Sequence, residues 1–153
     1  MSQKILHQIK YRNRPLLARQ MGYMYGDLLR ESGFTACWDL LVPVPLHRKK
    51  QSARGYNQSE ELSGGMAAAL QVPAANLLIR EVPTKSQTNK TRMERWENVR
   101  DVFAVRFPER LYSQRILLVD DVMTTGATLA ACALSMQQHH PKSIDFAVLA
   151  AGK

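Results

Sequence analysis

Two adjacent acids, Asp120 and Asp121, stand between an apolar run, Ile116 to Val119, and a hydroxyl-rich stretch, Thr124-Thr125-Gly126-Ala127-Thr128. Carboxylates accept hydrogen bonds from sugar hydroxyls or take a metal-bound group. A threonine turn around one glycine, opening into a helix, offers a phosphate backbone N–H groups, hydroxyls and the positive end of a helix dipole. The stretch contains no Lys or Arg, so amides and dipole carry that task. Together these residues suit a sugar phosphate held between an amide nest and two acids.

Such a device needs a buried strand that stops at the acids and a helix that starts after the loop. Ile116 to Val119 reads as that strand, and the Ala/Leu-rich run from Ala127 to about His139 as that helix. Arg14 to about Glu31 reads as an earlier helix with Pro15 in its first turn. Its apolar stripe is Leu16, Leu17, Met21, Met24, Leu28 and Leu29, expected in the core, and Gly33 closes it. Asn57 is placed to cap a helix over Gln58 to Leu70, with Glu60 and Glu61 in its first turn. Further strands are expected at Trp38 to Val44, Leu77 to Val82, Asp101 to Val105 and Ser143 to Ala150. Strands alternating with helices imply an α/β fold with a mostly parallel five-stranded sheet. Ligands bind such sheets at the carboxyl ends of strands. The Asp pair lies at one such end and Val44-Pro-Leu-His-Arg-Lys-Lys50 at another, so one site can draw on both.

The run from Ile116 to Thr128 resembles the 5-phosphoribosyl-1-pyrophosphate (PRPP) motif of the type I phosphoribosyltransferases: four hydrophobics, two acids, two apolar positions, then Thr-Thr-Gly-x-Thr. The resemblance implies that Asp120 and Asp121 hold the ribose hydroxyls and that Met123, Thr124, Thr125, Gly126, Ala127 and Thr128 wrap the 5′-phosphate. It implies that the loop after the first strand receives pyrophosphate, through Leu46, His47 and Arg48 with charge from Lys49 or Arg54. The polar segment 83–100 resembles the loop that closes over PRPP in this class, where Lys85, Gln87 and Lys90 are the candidates to reach in. Lys85 and Gln87 are assigned the catalytic contacts.

Arg54-Gly-Tyr-Asn-Gln58 resembles a segment of the ComF-type phosphoribosyltransferase-like proteins, which are linked to bacterial competence. Lys10-Tyr11-Arg12, Thr84-Lys-Ser-Gln-Thr88 and Arg95-Trp-Glu-Asn-Val-Arg100 before Phe103 extend the likeness over nearly the whole chain. Members of that family usually carry an N-terminal four-cysteine zinc ribbon, and no such cysteines stand in this sequence. The implied division is an N-terminal helical hood segment over 1–36 and a phosphoribosyltransferase core over 37–153. The implied reaction transfers a phosphoribosyl group from PRPP to a nitrogen acceptor and releases pyrophosphate, with Mg²⁺ held by substrate oxygens and water and no dedicated protein ligand. The alternatives are a non-catalytic PRPP-binding protein and a competence or DNA-uptake component.

Composition bounds these readings. The 153 residues suffice for one self-supporting core, and 45% hydrophobic with 22% charged residues is ordinary for a globular domain. No apolar run is long enough to cross a membrane, and the first residues lack a signal-peptide pattern. Cys37 and Cys132 stand far apart among apolar neighbours, so two buried thiols are expected and a cytoplasmic setting follows. The net charge of +8 gathers around residues 10–19, 48–54 and 85–100, which suits PRPP, nucleic acid or an ordinary basic solvated surface, and charge alone does not choose among the three. The acceptor has no signature in this chain, and a homodimer is compatible with it.

Overall fold

A computed structural model describes residues 14–46, 51–53, 55–80 and 102–152. Helix α1 spans Pro15–Glu31, strand β1 Leu40–Pro43 and helix α2 Gln58–Leu70. Strands β2, Leu78–Arg80, and β3, Phe103–Val105, follow, then a 3-10 turn at Pro108–Arg110. Strand β4 is Arg115–Met123, helix α3 Ala127–Gln137 and strand β5 Ser143–Ala151.

Strand β4 is the centre of a three-stranded parallel sheet in the order β1-β4-β5. Leu40 pairs with Ile116 on one side and Arg115 with Ser143 on the other. The apolar run of β4 feeds two cores by simple alternation. Ile116 and Leu118 pack with Leu129, Cys132 and Met136 of α3, whereas Leu117 and Val119 pack with Leu62 and Met66 of α2. A strand covered on both faces needs no polar positions, hence four consecutive apolar residues. The strand does not stop at the acids as expected but runs through them to Met123, because β5 keeps pairing alongside, Asp120 with Val148 and Met123 with Ala151.

Among the described residues, the expected mostly parallel five-stranded sheet is found as three parallel strands plus a two-stranded antiparallel ribbon, β2-β3. After α2 the chain touches β1 through one bridge, Leu41 to Ala74. The Leu41 N–H donates to the Pro73 carbonyl at 2.9 Å and the Ala75 N–H to the Leu41 carbonyl at 3.0 Å. The Leu77 N–H then turns back onto the Ala75 carbonyl at 3.0 Å. That tight turn carries β2 off the sheet edge and onto β3. Residues 81–101, which join the two ribbon strands, lie outside the described residues.

The apolar stripe expected to bury α1 is corrected in part: Met21 and Leu29 pack against the core on the α2 side, but its other half does not. Leu16, Met24 and Leu28 are 74%, 71% and 59% exposed, whereas Ala18, Gly22 and Gly26 are buried. The small side of the helix is the one that packs, since it lets two backbones meet. A Cβ on Gly22 would fall 2.1 Å from the Leu62 carbonyl oxygen, and one on Gly65 would fall 2.0 Å from that of Arg19. Neither cysteine forms a disulfide; Cys132 is buried, while Cys37 is only half-buried, contrary to expectation. At the sheet end away from the acids, Arg115 pairs with Asp39 through Nη2, Nε and its backbone N–H at 2.6, 3.0 and 2.9 Å. Trp38 Nε1 donates to Asp145 at 2.8 Å, so β1, β4 and β5 are cross-fastened there.

Candidate functional site

The first turn of α2 is built against the carboxyl ends of β1 and β4. Asn57 caps the helix, its Oδ1 accepting the Ser59 N–H at 3.1 Å, and its Nδ2 donates to the Val44 carbonyl at 3.0 Å. One side chain therefore satisfies a helix end and ties it to the loop that leaves β1. The next two side chains reach the acids. Gln58 Nε2 donates to Asp121 Oδ2 at 3.3 Å and Ser59 Oγ donates to Asp120 Oδ1 at 2.9 Å.

Asp121 is buried and Asp120 half-buried. The Asp121 N–H also donates to Asp120 Oδ1, at 2.8 Å. Burial, and then the neighbouring Asp121 charge, push the Asp120 carboxyl up to about 6 from its ordinary value, while the Ser59 hydrogen bond opposes the rise. At neutral pH the Asp120 carboxylate remains available as an acceptor. Beneath it the Cys132 thiol is pushed up by burial and then by Asp120, so it stays neutral. A cavity of about 170 Å³ opens over the acids, lined also by Val44, Leu46, Arg80 and Thr128.

On one side of the acids, the β4–α3 turn forms a cup of about 30 Å³ lined by Asp120 and by residues 122–129. Gly126 sits at its rim as the α3 N-cap with φ 76°, a left-handed conformation that suits glycine. The Thr125 hydroxyl accepts the Ala127 N–H at 3.4 Å. First-turn amides have no partner within their own helix. Helix α2 meets that need through the Asn57 side chain and carries Glu60 and Glu61 in its first turn, whereas α3 has no acid in its first turn. Its positive end faces outward over the exposed Thr124, Thr125 and Thr128.

On the other side, past β1, lies a polar cavity of about 300 Å³. Pro45, Leu46, Asn57 and Arg80 line both this cavity and the one over the acids, and Arg106 faces the far end. The Arg80 guanidinium lies over the Phe103 ring, 5.5 Å from its centroid, so β3 holds it in place. A helix N-terminus and two acids thus follow one another along the carboxyl edge of the parallel sheet, with two arginines at the antiparallel ribbon beyond them.

The phosphoribosyl transferase domain profile matches residues 57–153, from the α2 cap through the acids, the threonine loop and β5. The chain belongs to that family.

Within this family the chain is 29% identical over 130 residues to Competence protein F of Haemophilus influenzae, covering 82% of this chain and 57% of that protein. It is 35% identical over 98 residues to Competence protein ComFC of Bacillus subtilis, covering 62% and 38%. DNA utilization protein YhgH of Escherichia coli K12 matches at 27% over 133 residues, covering 84% and 58%. The chain therefore spans less than two thirds of the length of these relatives. Among solved structures it is similar to the allosteric regulatory enzyme of purine biosynthesis, with a TM-score of 0.65 at 16% identity over 94% of this chain and 30% of that one. The glutamine PRPP amidotransferase of B. subtilis is similar to the same extent. These likenesses show a type I phosphoribosyltransferase-like α/β fold.

Of the residues singled out from sequence, Asp120, Asp121, Met123, Thr124, Thr125, Gly126, Ala127, Thr128 and Leu46 come together along this edge. His47, Arg48, Lys49, Arg54, Lys85 and Gln87 lie outside the described residues. Sequence reasoning missed the site contacts of Gln58 and Ser59 and the placement of Arg80. Asn57 as a cap carried the first signal, since the two residues after a cap necessarily start the helix beside the strand ends. Arg80 carried none, because its place depends on β2 leaving the sheet.

Proposed function

We propose that this chain binds PRPP with Mg²⁺ and transfers the phosphoribosyl group to a nitrogen acceptor, releasing pyrophosphate. The order of the three cavities supports this reading: helix end, acid pair, arginine-lined hollow. That order matches phosphate, ribose and diphosphate in PRPP. The α3 amides and the threonine hydroxyls take the 5′-phosphate, and Asp120 and Asp121 accept the ribose hydroxyls. The diphosphate extends across Pro45 and Leu46 toward Arg80 and Arg106, with Leu46, His47, Arg48, Lys49 and Arg54 as the proposed pyrophosphate loop and Lys85 and Gln87 as the contacts that close over it.

No group of three or more His, Cys, Asp or Glu side chains gathers to bind a metal among the described residues, and both acids already accept bonds from α2. The ion is proposed to be held by diphosphate oxygens and water near the acids. Mg²⁺ supplies neutralisation of the departing charge. The protein positions the sugar so that the C1–oxygen bond can break as the C1–nitrogen bond forms, with the electron pair leaving on pyrophosphate. It needs no covalent nucleophile. Calorimetric titration with Mg²⁺-PRPP tests the binding, and a screen of bases and amines read by pyrophosphate release tests the transfer.

The names of the relatives, together with the net charge of +8, favour a second reading as a DNA-linked protein. Duplex binding that falls with salt at a slope near −0.9 per neutralised phosphate, and that PRPP does not displace, would favour it.

A further inference from the structure

Each acid of the pair is held by one neutral side chain from the first turn of α2: Ser59 on Asp120 and Gln58 on Asp121. Ser59 and Gln58 are 2% and 5% exposed, so neither trades its partner freely with bulk water. Ser59 Oγ and the Asp121 N–H both bond the same oxygen of Asp120, Oδ1, which grips that carboxylate by one edge. We propose that Ser59 and Gln58 are positioning residues: they hold the two carboxylates in the orientation that receives ligand hydroxyls and divide the pair's shared proton between them. What the acids bind rests on the PRPP reading; what Ser59 and Gln58 do to the acids does not.

Two like charges on neighbouring residues of a half-buried strand end compete for one proton, and the pair titrates as a unit. Among the described residues the groups around Asp120 are few. Asp121 stands beside it on β4, Arg80 faces it from β2 across the shared cavity, and α3 contributes the Thr128 hydroxyl and the neutral Cys132 thiol. From α2 come Ser59 and Gln58. Burial and Asp121 raise Asp120, and the Ser59 hydroxyl is the main contact that lowers it. The Ser59 bond therefore favours the anion on Asp120, while the Gln58 bond holds the neighbouring carboxylate.

The two residues should then act in opposite directions on one measurable group. Ser59→Ala removes the hydroxyl donor but not the cap, since Asn57 binds the Ser59 backbone N–H. Gln58→Met keeps the size and removes the donor to Asp121, which draws the shared proton toward Asp121. Carbon-13 NMR of the side-chain carboxyls of the ligand-free full chain reads both. The Asp120 midpoint should rise by roughly one pH unit in Ser59→Ala, return in Ser59→Thr, and fall in Gln58→Met. The acid limb of PRPP affinity should move with it. An unmoved midpoint in Ser59→Ala, or a shift of the same sign in Ser59→Ala and Gln58→Met, overturns the proposal. Opposite shifts with an unchanged pH profile of PRPP affinity uphold the positioning role and remove the acids from ribose recognition.

Discussion

Asn57 donates to the Val44 carbonyl at 3.0 Å while its Oδ1 accepts the Ser59 N–H at 3.1 Å, so one buried amide joins the loop after β1 to the helix that holds the acids. Its removal costs twice. Asn57→Ala should lower stability by about 2–3 kcal/mol, about 1 for the cap and the rest for a buried carbonyl left unpaired. Asn57→Ser keeps the cap and should lose less. Urea denaturation reads both; an Ala variant as stable as the parent would show that the helix does not depend on this fastening.

Neighbouring glycines in α2 should respond oppositely to alanine. At Gly65 a Cβ would meet the Arg19 carbonyl oxygen at 2.0 Å and the Tyr23 backbone nitrogen at 2.6 Å. Gly65→Ala must push α1 away and should cost roughly 3 kcal/mol or more. At Gly64 the nearest atom is the movable Arg19 guanidinium at 3.3 Å, so the helical preference for alanine prevails and the change should be neutral or stabilising by up to ~1 kcal/mol. Equal melting temperatures for the two variants would contradict the close α1–α2 contact.

The two ends of β4 carry opposite pH dependences. Asp39, held well below the usual carboxylate range by Arg115, gives stability that is present above the ordinary aspartate value and is lost as pH falls through its folded value. Asp120 is raised from 3.8 to about 6. Between those values the folded chain keeps a proton that the unfolded chain has lost, so the ligand-free fold weakens as pH rises through that window. Asp120→Asn should therefore stabilise the ligand-free protein at pH 7–8 by roughly 1–3 kcal/mol while damaging the site. Asp39→Asn should flatten the acid limb instead. Melting temperatures against pH separate the two; an Asp120→Asn variant that is less stable at pH 8 would contradict the burial argument.

Much of this architecture was legible before any coordinates. The apolar run of β4, the Asn57 cap and the Pro15 start each follow from local rules, and the α2 bounds came out as read. What failed depended on contacts between distant segments. The α1 stripe was assigned by hydrophobicity, but a backbone-to-backbone approach rewards Gly22 and Gly26 above Leu16 and Met24. Leu78 to Arg80 has a strand's composition whichever neighbour it finds, and the turn at Ala75 to Leu77 decided for β3. The acids were visible as a pair, whereas the separate partner each one has on α2 was not, since residues 63 and 61 positions apart meet only in the fold.

The central claim is that the acid pair and the helix end form one PRPP site. Calorimetric titration of Mg²⁺-PRPP into the parent, Asp120→Asn and Asp121→Asn at pH 8 tests it most directly, because pH 8 lies above the value of about 6 to which Asp120 is raised. Each variant loses a charge-assisted hydrogen bond worth about 1.5–3 kcal/mol, so affinity should fall roughly 10- to 100-fold. Binding of the parent should weaken when Mg²⁺ is withdrawn, since the diphosphate charge then enters uncompensated. A parent that shows no heat with Mg²⁺-PRPP, or variants that bind it as tightly as the parent does, would contradict the account.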